Sequence, residues 1–323
     1  MQSQRQLLAS LTILLAIANA DTAIAQTYPS RPVRMVVTSA AGSAPDIIAR
    51  LIGQRLSERL GQPFVIENRS GGGGNIGTEA VVNSKPDGYT LLMVATNNAI
   101  NATLYDKLNF NFVRDIAPVA GAMRSPNVMV VNPSVPAKTV PELITYAKAN
   151  PGKLNMASSG SGTSPHLAGE LFKMMAGADI THVPYRGAGP ALTDLLGGQV
   201  QIMIPSTTAS VPYIKSGKLH PLAVTTSTRL EVLPDIPTVG EFVPGYEASG
   251  WFGVGAPRNT PGEFVDKLNR EINGILAEPA IKDRIADLGG TVLAGSSADF
   301  GKLIVDETEK WAKVVRFVGI KPD

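Results

Sequence analysis

Val33–Asp46 reads VRMVVTSAAGSAPD, Leu154–His166 reads LNMASSGSGTSPH and Ile180–Pro190 reads ITHVPYRGAGP. Each stretch passes from an apolar, β-rich run through a loop of Gly, Ser and Ala to a proline at the first turn of a helix. A helix start carries unpaired backbone N–H groups and a partial positive charge. A loop without bulky side chains lets an anion come close to them. Proline does no harm there, because its missing N–H would have had no partner. The three stretches predict repeated strand–loop–helix units built to hold a small anion.

The same alternation continues in both directions. Apolar β-branched runs predict strands at 33–37, 64–67, 90–95, 128–131, 154–157, 180–184, 200–204, 221–225 and 250–255. Helical patterns fall at 44–60, 78–84, 140–149, 164–175, 190–197, 211–216, 261–277, 279–288 and 297–315. Alternating strands and helices predict an α/β fold with mostly parallel sheets. The helix beginning at Thr139 is a useful contrast. Thr139 and Glu142 form a capping box, and the preceding loop contains lysine and prolines but no glycine. That helix start reads as purely structural.

Residues 1–25 have the form of a secretory leader: one arginine, an apolar run from Leu7 to Ala18, and Ala23-Ile24-Ala25 before Gln26. The run is too short to span a bilayer, which takes about 20 apolar residues. Beyond it lie about 300 residues, enough for two domains. The chain has no cysteine, which excludes disulfides, thiolate metal sites, a cysteine nucleophile and a lipidated N-terminal cysteine. Its 29 basic and 27 acidic residues are interspersed, and only 6% of residues are aromatic. Nucleic-acid and membrane-surface binding need clustered positive charge, and the sequence contains no such cluster. The expectation is an exported, soluble protein of the periplasm.

A longer set of motifs, in order, carries a family resemblance: YPSRPVRMVV, AAGSAPDIIARLI, LGQPFVIENRSGGGGNIG, KPDGYTLL, the run from VNPSVPAKTV to SPHLAGELF, THVPYRGAGPALTDLLGGQVQIMI, LPDIPTVGEFVPGYEASGWFGVGAP and the closing KWAKVVRFVGIKPD. From Tyr28 to Asp323 the chain resembles the Bug-type periplasmic solute-binding proteins of tripartite tricarboxylate transporters. The resemblance implies a type II-like fold of two α/β domains joined by two crossing strands, with a small carboxylate in the cleft between them. Domain 1 would comprise 26–127 plus 250–323 and domain 2 128–249, with crossings near 128–131 and 248–252. It also implies a monomeric receptor without cofactors, which closes on its ligand by hinge motion and delivers it to integral membrane subunits.

Carried onto this sequence, the first loop supplies Ala41, Gly42 and Ser43. The second supplies Ser159, Gly160, Ser161, Gly162, Thr163 and Ser164. Backbone N–H groups and hydroxyls suit a carboxylate because they bind charge without adding a mobile counter-charge. The family usually reads AAGG where this chain reads Ala40-Ala41-Gly42-Ser43. Ser43 is either a ligand contact or a helix cap with Asp46 as its partner. Asp46 has the wrong charge for an anion site, and is either structural or a partner for a ligand amine. Arg186 is either a neutralising cation at the cleft or a solvated loop residue. Asn68, Asn98, Tyr185 and Ser206 complete the candidates, the last three with Arg186 as readers of the ligand's far end.

Three other readings carry less. Gly72, Gly74 and Gly77 match G-x-G-x-x-G, but the next strand ends in Thr96-Asn97-Asn98 rather than in a ribose-binding acid, so the segment reads as a mobile loop at the cleft edge. Three histidines without clustered carboxylates at ligand spacing argue against a metal site. A secreted serine hydrolase using Ser158–Ser164 with His166 is the competing function; no serine there has glycines two before and two after it, as a nucleophile elbow requires.

Overall fold

The computed structural model describes residues 28–160, 162–185 and 187–321. The leader expected over 1–25 lies outside the described residues, as do the candidates Ser161 and Arg186. In chain order the elements are β1 (Val33–Val37), α1 (Ala44–Leu60), β2 (Phe64–Asn68), α2 (Asn75–Val82), β3 (Thr90–Ala95), α3 (Thr96–Leu104), α4 (Phe112–Asp115), β4 (Ile116–Ser125) and β5 (Val128–Val131). They continue with α5 (Val140–Ala149), β6 (Asn155–Ser158), α6 (Ser164–Ala176), β7 (Thr181–Pro184), α7 (Ala188–Leu196), β8 (Ile202–Met203), α8 (Thr207–Lys215) and β9 (His220–Val224). β10 (Gly250–Pro257), α9 (Gly262–Leu276), α10 (Pro279–Asp287), β11 (Thr291–Val292) and α11 (Ser297–Val318) complete the chain.

The strands form two sheets: six strands in the order β11-β4-β10-β3-β1-β2, and five in the order β7-β6-β8-β5-β9. β1 is apolar at nearly every position because helices cover both faces of its sheet. Val36, Leu92 and Val94 join one apolar cluster while Met35, Leu91 and Met93 join another on the opposite face. The first of these clusters is continuous with the five-stranded sheet through α11, whose Trp311 and Val314 lie in it with Leu167 and Phe172 of α6. A third cluster, around Val128, Val130, Met203 and Leu195, covers the other face of the five-stranded sheet.

The two-sheet α/β architecture is as expected, but both sheets are mixed rather than mostly parallel. β1 pairs in parallel with β2 and β3, and β6 with β7 and β8. β10 runs antiparallel to β3 and β4, and β5 antiparallel to β8 and β9. The reason is connectivity. A strand that leaves one sheet for the other and a strand that returns must run in opposite directions when they lie side by side. β4 leads through Pro126 and Asn127 into β5, and the segment after β9 leads back into β10.

The two passages are bonded to each other. Thr225 N–H donates to Asn127 O (3.0 Å), Asn127 N–H donates to Thr225 Oγ1 (3.2 Å), and Ala248 N–H donates to Thr225 O (3.0 Å). Beside them, both tryptophans of the chain donate to one buried carboxylate oxygen, Glu307 Oε2, from Trp251 Nε1 at 3.0 Å and Trp311 Nε1 at 2.8 Å. This ties the start of β10 to α11.

Candidate functional site

Parallel strands end on the same edge of a sheet, and ligands of open α/β sheets bind beyond those carboxyl ends. β1, β2 and β3 therefore deliver Thr38–Ser43, Arg69–Gly74 and Thr96–Asn98 to one edge. β6, β7 and β8 deliver Ser159 and Gly160, Tyr185, and Ile204–Ser206 to one edge of the other sheet. The second loop reaches the first unit: a Cβ on Gly162 would stand 2.9 Å from Leu104 Cδ2 of α3. Ser164 Oγ lies 3.8 Å from where a Cβ on Gly250 would be.

In the first loop, Ala40, Ala41 and Gly42 are exposed and Gly42 takes φ +80°. The loop's shape is fixed by Asp46, which is 2% exposed. Its carboxylate accepts from Gly42 N–H (2.8 Å), Arg50 Nε (3.0 Å) and Asn68 Nδ2 (2.9 Å). Burial works to raise the pKa of Asp46, but the bonds from Arg50, Gly42 and Asn68 outweigh it and hold the group below the usual carboxylate range. Asn68 Nδ2 also donates to Ser39 O, and Asn68 Oδ1 accepts from Arg50. Asp46 and Asn68 thus act as supports of the loop. The capping expected of Ser43 is not made by its side chain. Ser43 occupies the N-cap with φ −72°, and its hydroxyl donates to Ala40 O (2.7 Å) and meets Ser39 Oγ (2.7 Å). Because the positive φ belongs to Gly42, serine fits where the family usually has glycine.

The four glycines 71–74 all have positive φ, which accounts for the run. This segment was expected to be mobile, but its backbone is held: Gly73 O accepts from Asn97 Nδ2 (2.7 Å) and Asn101 Nδ2 (2.9 Å).

The second loop is folded on its own polar atoms. Thr163 Oγ1 donates to Gly160 O (2.7 Å), Gly160 N–H donates to Ser158 Oγ (3.2 Å), and Gly162 N–H donates to His166 Nδ1 (3.0 Å). Ser159 Oγ meets Thr163 Oγ1 at 3.5 Å. The Ser164 hydroxyl is buried with no partner among the described residues, an unusual state for a donor.

Two expected readers of the ligand face elsewhere. Asn98 is 2% exposed; its Oδ1 accepts from Ala95 N–H (2.9 Å) and its Nδ2 donates to Thr78 Oγ1 (2.8 Å), so the amide caps α3 from a buried position. Tyr185 donates its hydroxyl to Asp194 Oδ2 (2.7 Å); burial first and that carboxylate second push its pKa up to about 12. Ser206 is the N-cap of α8 and bridges to Asn127 at the crossing. Sequence reasoning overlooked Asn97 and Asn101, whose only signal was their place after β3, and Glu170 and His182.

His166, Glu170 and His182 bring their donor atoms within 4.8 Å of one another. A cation there would need a lone pair from each imidazole. His166 Nδ1 already accepts from Gly162 N–H, which puts the proton on Nε2, facing Glu170 Oε1 at 3.7 Å. The arrangement fits a hydrogen-bonded network better than a metal centre. Of the serines in Ser158–Ser164 that a hydrolase would use with His166, Ser158 pairs with His182 instead, its Oγ 2.6 Å from Nε2. That serine is fully buried and offers no nucleophile to a substrate.

A groove of about 480 Å³ opens elsewhere, between the 226–232 segment and α10 with β11. Its lining mixes Arg124, Arg229 and Lys282 with Glu231, Glu247 and Asp283, and parallel strand ends do not converge on it.

A sequence profile for the tripartite tricarboxylate transporter family receptor matches residues 48–320. Protein BugT of Bordetella pertussis is 38% identical over 320 residues, covering 98% of each chain. Rpa4515 of Rhodopseudomonas palustris, solved with adipate, is 40% identical with a TM-score of 0.77, covering 92% of this chain and all of its own. MatC of the same organism, solved with bound malate, is 33% identical with a TM-score of 0.73 and covers 89% of this chain and all of its own. Among the described residues no helix is long and apolar enough to cross a membrane.

Proposed function

Because the chain belongs to the family of tripartite tricarboxylate transporter receptors, we propose that it captures a small organic acid between its two units and presents it to the membrane subunits of such a transporter. The observation that carries the reading is the pairing of two glycine- and serine-rich loops, each at the carboxyl end of a parallel strand and each leading into a helix N-terminus. Ala41, Gly42 and Ser43 form one wall, and Ser159, Gly160, Gly162, Thr163 and Ser164 form the other. The unpartnered Ser164 hydroxyl and the exposed backbone at Ala41 and Gly42 are suited to carboxylate oxygens. Because Gly42 N–H is engaged by Asp46, the contribution of Gly42 is the absence of a side chain.

The domains divide at 127/128 and 249/250, and closure turns about the bonded passages at Asn127, Thr225 and Ala248. Ligand stabilises the closed form, and no bond is made or broken. The working form is the monomer, released into the periplasm after removal of residues 1–25. Its ligand is an aliphatic di- or tricarboxylate, in line with the adipate and malate of the similar receptors.

The test is thermal unfolding against mono-, di- and tricarboxylates, acidic amino acids and aromatic acids. A ligand that binds only the native state adds about 2.7 kcal/mol at a hundred times its Kd, and the unfolding temperature rises with concentration. One aliphatic dicarboxylate or tricarboxylate should give a saturable rise. A flat panel, together with no co-purifying acid by mass spectrometry, would reject the proposal.

A further inference from the structure

We propose that the stacked pair His166 and His182 is a proton-sensitive clasp that holds the second loop in its donor-presenting shape, a role that rests on this loop being part of the ligand site.

Each end of the loop is fastened to one of the two rings. Ser158, where β6 ends, meets His182 Nε2 at 2.6 Å; Gly162, just before α6, donates its N–H to His166 Nδ1 at 3.0 Å. The rings stack face to face, with centroids 3.7 Å apart and planes 11° from parallel. His166 is 3% exposed and Glu170 2% exposed, while Lys173 Nζ lies 2.8 Å from Glu170 Oε2. Burial works to raise the Glu170 pKa, but bonds from His166 and Lys173 outweigh it and keep the carboxylate charged. That carboxylate draws the proton of neutral His166 to Nε2 and leaves Nδ1 as the acceptor that Gly162 needs.

The titratable groups acting on His182 are His166, Glu170 and Lys173, all on α6. Strands β6 and β7 have no charged residues. Burial, and then the neighbouring His166, push the His182 pKa down to about 4. Of the two rings, His166 is the one that faces a carboxylate, its Nε2 standing 3.7 Å from Glu170 Oε1, so a proton added to the pair is stabilised there. A protonated His166 carries N–H on both nitrogens. Its Nδ1–H then faces the Gly162 N–H, donor against donor, and the loop loses its anchor. Gly162 is the residue packed against Leu104 of the other unit, so its release is felt across the cleft.

The experiment follows the Gly162 amide by hydrogen exchange in the ligand-free protein, from about pH 8 to about pH 4.5, corrected for the intrinsic pH dependence of exchange. His166→Asn places Oδ1 near the position of Nδ1, so it keeps an acceptor that cannot titrate; His166→Phe removes it. Wild-type protection should fall about ten-fold or more on acidification, stay level in His166→Asn, and be low throughout in His166→Phe. Level protection in the wild type, or an equal fall in His166→Asn, would overturn the clasp. Adipate titration at neutral pH supplies the second measurement. His166→Asn should bind like the wild type and His166→Phe about ten-fold more weakly, whereas equal binding by all three would overturn the link to the ligand. If the wild type binds no acid, the receptor reading fails, and amide exchange still decides whether the clasp exists.

Discussion

Replacing Gly42 and Gly61, one at a time, by alanine separates backbone strain from obstruction of the site. Both residues have positive φ, +80° and +69°, and at both a Cβ would meet no heavy atom within 4 Å. The left-handed conformation costs an L-residue about 1–2 kcal/mol, so each variant should lose about 1 kcal/mol of stability, or about 2–4 °C in Tm for a chain of this size. Neither replacement creates a clash. The positions differ in where the new methyl goes. Gly61 closes the far end of α1, about 25 Å from Gly42 along a helix of 17 residues. Gly42 lies on the exposed crest of the first loop. A methyl group there displaces a carboxylate and removes a charge-assisted hydrogen bond worth about 1.5–3 kcal/mol, weakening binding about ten- to a hundred-fold. Alanine is a cleaner probe than valine, whose branched Cβ adds strain at this φ. Calorimetric titration and thermal unfolding of both variants read the two effects separately. Wild-type affinity in Gly42→Ala would refute the anion cradle; equal loss in Gly61→Ala would assign the effect to strain.

Two further perturbations test the scaffold. Glu307→Leu leaves the buried indole N–H groups of Trp251 and Trp311 without an acceptor, and should cost about 3 kcal/mol or more in denaturant unfolding, whereas Glu307→Gln keeps an oxygen for both and should cost much less; a Leu variant as stable as the wild type would show that the tie to β10 contributes little. The folded chain keeps His182 neutral down to about pH 4 while the unfolded chain protonates it near the ordinary value of about 6.5. Between these values the unfolded state binds more protons, so stability falls as pH drops through this window, by about 3 kcal/mol at most. His182→Gln should flatten that part of the stability curve, and an identical slope in the variant would remove His182 as its cause.

The sequence makes the frame readable where packing imposes a simple rule. β1, β3 and β5 stand out because strands covered on both faces need nearly unbroken apolar runs, and the helix starts at α1 and α6 carry their own glycine, serine and proline signal. β4 and α3 escape for a physical reason. β4 (IAPVAGAMRS) contains Pro118 and Gly121, residues depleted in strands, yet Gly121 is needed because Leu293 packs directly against its backbone. α3 (TNNAINATL) has little intrinsic helix propensity. It forms because Asn98 caps it from inside and because α11 packs along it. Neither cause is local, so a pattern of periods and propensities passes over both.

The same division runs through the site. Residue type and position bring Ala41–Ser43 and the loop flanked by Ser159 and Ser164 to the two strand edges, because backbone N–H groups and small side chains need only the correct strand end. Direction is another matter. Asn97 and Asn98 are chemically identical neighbours, and the rotation of about 100° between successive helix positions sends Asn98 into the core to cap α3 while Asn97 reaches Gly73 at the edge of the cleft. Tyr185 follows β7 as a pocket residue would, yet Asp194, nine positions later on α7, captures its hydroxyl. Asp46 shows the converse: its charge forbids contact with an anion, and that charge lets it collect three donors and shape the loop that would. A binding loop built from backbone needs a second layer with the opposite chemistry to hold it still. In this protein the layer is Asp46 with Asn68 and Arg50 under one loop, and His166 with His182 and Glu170 under the other.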